Sequence, residues 1–309
     1  MTLLTIVRRW SIVSFLLLVL CACTTTTVQP KSGIPELSGQ SPAAKDDASR
    51  LKNMSLQELL QNGNSYLSSN DYQLARLHFA AALEKEPNSS AALTGLGEIL
   101  RQSGELNTAR TTFAKVLAKD DQYLPALLAI ARVSRAQGDN ENAMKFLNQA
   151  LVISPENIAV LTEMAMLHDR LGQEAQAEIL YVKVITLNPE QAFGYNNLGC
   201  NYLLQERYPD AIANFSRAMS LDPGNKRTQN NLGVAYALYG DEETALQIFE
   251  KGVGKAAAYN NIGYVYMSKG KWEQAEKAFK QALELNPRFY LRAQENLDRL
   301  NHLRSKPRL

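Results

Sequence analysis

The stretch Tyr195-Asn-Asn-Leu-Gly-Cys-Asn-Tyr202 decides the fold, together with Ala211-Ile-Ala-Asn-Phe215-Ser-Arg-Ala218 and the closing Leu221-Asp-Pro223. Its apolar residues return at helical spacing in two runs, which is the signature of two short amphipathic helices. Pro223 cannot continue a helix, so the second run stops just before it. Gly199 and Ala211 are small where two helix backbones must approach, while Tyr202 and Phe215 are large enough to fill the layer between them.

The same pattern is written again at a step of 34 residues. One step back lie Leu161, Met164-Ala165, His168, Ala177, Tyr181, Val184 and Pro189, and another gives Leu127, Ile130-Ala131, Ala143, Leu147, Ala150 and Pro155. The second copy has Leu96-Gly97, Ala109 and Phe113, with Asp121 where the proline belongs, and the first has Gly63, Tyr66, Phe79 and Pro87. Further on come Leu232-Gly233, Tyr236 and Phe249, then Ile262-Gly263, Tyr266, Phe279 and Pro287. This spacing resembles the tetratricopeptide repeat (TPR). The resemblance implies an all-α, superhelical solenoid of seven helix-turn-helix repeats, at 56–89, 90–123, 124–157, 158–191, 192–225, 226–255 and 256–289. No single copy can bury its apolar stripe, so neighbours must stack. The segment 290–309 carries Leu291, Ala293, Leu297 and Leu300 on a charged background, which predicts a C-terminal capping helix and tail.

The sixth copy is four residues short, with Gly252-Val-Gly254-Lys255 where the others have a last helical turn and a proline. An early, glycine-capped stop is expected there, with a changed angle to the seventh copy. The same residues superficially resemble the end of a phosphate-binding loop. Phe249 stands where that motif needs its first glycine, Ala256 replaces Ser or Thr, and no strand precedes it, so a nucleotide site is excluded.

Charge narrows the function classes. The chain holds 33 Lys and Arg against 31 Asp and Glu. Arg8 and Arg9 supply the whole excess, so the chain from Thr24 onward is neutral. Nucleic-acid binding through phosphate contacts is not expected of such a chain. Three cysteines and three histidines lack any zinc or disulfide spacing, and no HExxH, GxSxG or paired-carboxylate motif appears. Neither catalysis nor a cofactor or metal is expected. His168 occupies a position where other copies have tyrosine, and reads as a core residue.

The N-terminus reads as an address. Arg8-Arg9 precede a short apolar run, Ser11 to Leu20, too short for a span that needs ~20 apolar residues. Leu20-Cys21-Ala22-Cys23 resembles the lipobox of bacterial lipoproteins, which implies cleavage of a signal peptide at 1–22 and lipidation (palmitate) of Cys23. Cys21 is the poorer acceptor, because it would place bulky Leu20 before the cut. Several acyl chains at ~0.8 kcal/mol per buried CH₂ anchor stably where one would be marginal. Thr24 in place of an aspartate implies the periplasmic face of the outer membrane. Residues 23–54, rich in Thr, Ser, Pro and Gly, read as a tether with a typical reach of ~30 Å.

Within the family, the first helix of each repeat lines the binding face at positions five, six and nine. Position five carries Asn196, Asn230 and Asn260 in the last three copies, position six Asn197, Asn231 and Asn261, and position nine of the seventh copy Tyr264. These seven residues form the expected peptide-binding groove. An amide both donates and accepts, so such a row either grips an extended peptide backbone or bonds neighbouring helices; both uses are open. Phe193, Tyr264 and Met267 are the candidate apolar anchors. A subclass that clamps a C-terminal carboxylate uses Lys and Asn at these positions; Asn64 and Arg132 fit it, but the lysines are absent and Glu98 opposes an anion.

The whole pattern is similar to the TadD-type lipoproteins of tight-adherence (Flp pilus) systems, and secondly to type IV pilus pilotins of the PilF/PilW type. The implied role is a non-catalytic, outer-membrane-anchored periplasmic scaffold that binds proteins, with a secretin or other pilus and secretion components as partners. The alternative is an accessory scaffold for an envelope polysaccharide or peptidoglycan synthesis complex.

Overall fold

The computed structural model describes residues 51–286 and 290–305. The signal segment 1–22, Cys23 and the tether through residue 50 lie outside the described residues, as do Pro287 and the last four residues. No strand occurs among the described residues, and no helix there is long and apolar enough to cross a membrane.

The chain divides into two compact units at the Leu167–His168 bond. The N-terminal unit holds three helix pairs: α1 (Leu56–Ser68) with α2 (Tyr72–Lys85), α3 (Ser90–Gln102) with α4 (Leu106–Lys119), and α5 (Leu124–Ala136) with α6 (Asn140–Ile153). It also contains most of α7 (Ile158–Arg170). The C-terminal unit continues with α8 (Glu174–Leu187), then α9 (Ala192–Leu204) with α10 (Tyr208–Leu221), and α11 (Lys226–Tyr239) with α12 (Glu242–Val253). The last pair, α13 (Lys255–Ser268) and α14 (Trp272–Leu285), is followed by α15 (Tyr290–Ser305). Consecutive helices pack on one another from α1 to α6 and again from α8 to α15. First helices of neighbouring repeats also touch directly, α1 with α3, α3 with α5, α9 with α11 and α11 with α13.

The motif residues fulfil the packing role their sizes imply. A Cβ added to Gly199 would come within 2.6 Å of the Phe215 ring, and one on Gly263 within 2.5 Å of the Phe279 ring. Both distances are impossible for real atoms, so only glycine lets the aromatic ring of the second helix lie flat on the first. The third repeat solves the same layer differently. Leu147 replaces the ring and Ala131 replaces the glycine, and both are buried. Each of these Phe residues is fully buried, an arrangement in which truncation to Ala costs ~3–5 kcal/mol.

Local chemistry sets the helix ends. Ser55 and Glu58 close a reciprocal capping box at α1, and Asp71, Asp139, Asn225 and Asp241 cap α2, α6, α11 and α12 through their side chains. The turn inside each repeat needs one left-handed residue at the same place. Five repeats put glycine there, from Gly104 (φ 83°) to Gly270 (φ 68°), whereas Asn70 (φ 62°) and Glu206 (φ 57°) serve the first and fifth.

The short sixth copy ends as expected on a glycine, Gly254 at φ 82°. The missing length is divided, however. The helix α12 has 12 residues where the second helices of the other repeats have 14, and a single residue, Gly254, joins it to α13. Lys255, assigned above to the sixth copy, begins α13. Gln229 stands where the flanking copies carry Tyr195 and Tyr259; its amide donates to the Ile248 carbonyl at 2.9 Å, tying the shortened helix to its partner. At the end of the chain, Leu297 and Leu300 of α15 close over Met267, Ala275 and Phe279, so this helix caps the last repeat.

Candidate functional site

The first-helix faces are where the repeats leave their polar side chains, and in the C-terminal unit those chains are largely amides. Asn196 on α9 accepts from the Asn231 amide on α11 at 3.0 Å and from the Thr228 hydroxyl at 3.3 Å. Asn230 on α11 accepts from Asn261 on α13 at 2.9 Å, and Asn260 on α13 accepts from Asn296 on α15 at 2.6 Å. Each position-five amide is thus bonded to an amide one first helix further on. Of the two uses left open for the row, the structure displays the second: the asparagines join neighbouring helices.

This arrangement changes what a partner would meet. Asn231 is only 1% exposed and Asn260 3%, so both are shut inside the stack, and Asn196 is buried with them. Asn197, Asn230 and Asn261 stay half-buried. Tyr264 does not stand free in a groove: its hydroxyl donates to Asn296 at 2.5 Å and its ring meets Phe279 edge-on. Met267, a candidate anchor by sequence, is a core residue. Phe193 alone of the three is exposed. Cys200, half-buried, lies 3.5 Å from the Asn231 amide.

A second polar centre in this unit has no signature in the repeat pattern. Asp169, near the end of α7, accepts from the Asn201 amide at 2.6 Å and from the Tyr181 hydroxyl at 3.0 Å. Asn201 also donates to the Glu174 carbonyl at 2.9 Å and is fully buried. Burial raises the Asp169 carboxyl to about 6, against the pull of those two hydrogen bonds. Nearby, the Tyr202 hydroxyl donates to Glu178 at 3.0 Å while Arg207 lies 4.2 Å over the Tyr202 ring and also binds Glu178. Tyr266 repeats this two junctions later by donating to Glu242, with Lys271 over its ring. His168, at the equivalent tyrosine position, is half-buried and bonds Gln173 at 2.6 Å.

The N-terminal unit builds its first-helix face from charges. Arg101 holds Glu98 on α3 through two bonds, at 2.8 and 2.5 Å. Glu163 on α7 accepts from Arg132 at 2.9 Å and from Arg135 at 3.1 Å, both on α5. Glu98 has its partner three residues on along α3, whereas the partner of Arg132 lies on another helix. The signal was the 31-residue interval from Arg132 to Glu163, the register at which a first helix meets the next one. Asn64 is exposed on α1, beside Leu60 and Gln61. Among the described residues no group of three or more His, Cys, Asp or Glu is placed to hold a metal.

Comparison with known proteins gives these surfaces their context. Tetratricopeptide repeat profiles match residues 60–124, 124–157, 158–191, 192–225 and 256–289, leaving only the shortened sixth copy between matches. No curated protein matches the chain. Among solved structures, a tetratricopeptide repeat protein from Parabacteroides merdae superposes with a TM-score of 0.56 at 22% identity, covering 79% of this chain and 98% of its own. Pseudomonas aeruginosa PilF gives 0.53 at 21% identity over 67% of this chain and 91% of its own. A chain of the APC/C hetero-tetramer Cut9–Hcn1 gives 0.57 at 19% identity over 84% of this chain, which spans 55% of that longer protein. At these identities the likeness is one of fold.

Proposed function

Since this chain belongs to the tetratricopeptide repeat family, we propose that it is a non-catalytic scaffold, anchored by lipid on Cys23 to the periplasmic face of the outer membrane. There it assists assembly of a pilus or secretion apparatus of the Flp/Tad kind. Repeat proteins of this family mediate contacts between proteins, and the observation that carries the reading here is the continuity of the first-helix faces. Within each unit they are cross-tied by side chains of successive repeats, which holds a polar surface in one arrangement before any partner arrives. Preorganised surfaces bind with a smaller ordering cost.

The pilus assignment rests on the lipobox-like Leu20-Cys21-Ala22-Cys23, on the Tyr-Asn-Asn-Leu-Gly and Tyr-Asn-Asn-Ile-Gly copies that flank the short repeat, and on the resemblance to TadD-type lipoproteins. The fold shared with PilF accords with it. The test has two arms. In cells fed labelled palmitate, the wild-type chain should carry label and sediment with the outer membrane, and Cys23→Ser should lose both. Cross-linking in intact cells followed by purification should then recover a secretin or another pilus or secretion component. Label retained by the Cys23 variant would remove the anchor, and recovery of a polysaccharide or peptidoglycan synthase instead would replace the pilus reading with the envelope-synthesis one.

A further inference from the structure

The scaffold reading leaves open which partner chemistry the surface selects, and the N-terminal unit carries a feature that bears on it. Leu128, Arg132 and Arg135 fall four and then three residues apart on α5, so they form one stripe along the helix. Two of them converge on Glu163 of the adjacent first helix. The acid is the deeper group, with its side chain 11% exposed against 32% for Arg132 and 25% for Arg135. One repeat earlier, Arg101 is held by Glu98 of its own helix, three residues before it on α3.

Three guanidinium groups therefore face two carboxylates, and both carboxylates are already engaged. Each arginine presents five N–H donors in a planar fork, and the bonds to Glu98 and Glu163 use one or two of them. The remaining donors lie on side chains whose conformation is already fixed, so a further carboxylate would bind without the cost of ordering long flexible chains. The exposed Met166 of α7 and the half-buried Leu128 of α5 supply apolar surface on the same elements. Among the described residues of the C-terminal unit, the first helices are joined instead by amide pairs.

We propose that the first-helix face of the N-terminal unit, at Arg101, Arg132 and Arg135, docks an acidic segment of a protein partner through side-chain carboxylates. This deepens the scaffold reading and rests on it. The chemistry asks for internal Glu or Asp residues interspersed with apolar ones, and does not require a free chain terminus.

Calorimetry on the full chain tests this with a short synthetic peptide in which glutamate alternates with leucine, acetylated and C-terminally amidated so that only side-chain carboxylates respond. Binding is expected, weakening as salt is raised. Arg132→Gln with Arg135→Gln should lower affinity at least about tenfold, since a hydrogen bond to a charged group contributes at least that factor. Lys277→Gln with Lys280→Gln, exposed on α14 of the other unit, removes the same charge and should leave it unchanged. The same peptide with glutamine in place of glutamate should bind no better than the double arginine variant; this comparison uses the wild-type chain and holds even if that variant folds poorly. Equal binding of the two peptides would overturn the proposal, as would an unaltered affinity in a well-folded double variant, or binding to anionic lipid vesicles but not to the peptide. A double variant that still cross-links to its partner in cells sinks this docking site while leaving the scaffold reading intact; loss of every cross-linked protein from the wild-type chain itself would sink both.

Discussion

The two units stack the same helical hairpins but tie their first helices together with different chemistry. In the N-terminal unit the tie is ionic, Arg132 and Arg135 of α5 on Glu163 of α7, with a further ion pair, Arg101 on Glu98, inside α3. In the C-terminal unit the ties are neutral, Asn196 with Asn231, Asn230 with Asn261 and Asn260 with Asn296. An amide pair joins two helices without a charge, and at Asn196 with Asn231 and at Asn260 with Asn296 both members are buried. An arginine that holds a carboxylate keeps donors to spare and stays at the surface. The same repeat geometry thus makes one face closed and the other receptive.

The contrast is sharpest at two carboxylates of the fourth repeat. Glu163 lies between two guanidiniums, whereas Asp169 has an amide and a phenol for partners and feels the repulsion of Glu174. Neutral donors do not offset the burial of its charge, and its carboxyl rises to about 6 from 3.8. Between about pH 6 and pH 4 the folded chain therefore holds a proton that the unfolded chain has released. Stability is highest below that window and falls as pH rises through it. The full effect of such a shift is at most about 3 kcal/mol. Asp169→Asn should flatten this part of the profile, because nothing is left there to titrate, while Oδ1 still accepts from Asn201. Urea midpoints from about pH 4 to about pH 8 measure it; an unaltered slope in the variant would show that the charge is compensated after all.

A smaller effect distinguishes the closed face from the receptive one. Asn231→Ala removes the donor that reaches Asn196 and Cys200 and leaves a small cavity in its place. The expected loss is about 2 kcal/mol of stability, from a buried acceptor deprived of one partner and from lost packing. Binding of an acidic peptide to the other unit should not change. A variant as stable as the wild type would mean that the amide ties carry no weight, and that the row is available to a ligand.

How much of this was legible beforehand follows from the range of each interaction. Gly199 beneath Phe215, the proline stops and the glycine end of the sixth repeat depend on residues within one copy, and the 34-residue step exposes them. The row of asparagines was also visible. Its use was not, because whether Asn231 meets a ligand or Asn196 depends on how far one repeat is rotated against the next, and a single copy does not encode that rotation. Tyr264 and Met267 read as groove residues for a related reason: the sequence marks 290–309 as a capping helix but not that it bonds the one and covers the other. Arg132 looked like a groove residue because its partner, Glu163, was 31 positions away in a different column of the repeat.

The smallest change isolates the stability of the C-terminal unit from both faces. Glu206 occupies the turn between α9 and α10 at φ 57°, where five of the other repeats carry glycine and the first carries Asn70. A side chain with a Cβ in this region of backbone space is disfavoured by about 1–2 kcal/mol. Glycine removes that strain but adds freedom to the unfolded chain, so the net gain from Glu206→Gly is expected at about 1 kcal/mol or less. No first-helix side chain is touched, and neither the acidic peptide nor the pH profile should respond. The measurement is the denaturation midpoint of the single variant and of the combination with Asn231→Ala. The two sites share no hydrogen bond, so their effects should add. If the glycine restores more than its own increment in the double variant, the turn and the amide tie are coupled through α9, and the face and the hairpin beneath it unfold as one piece.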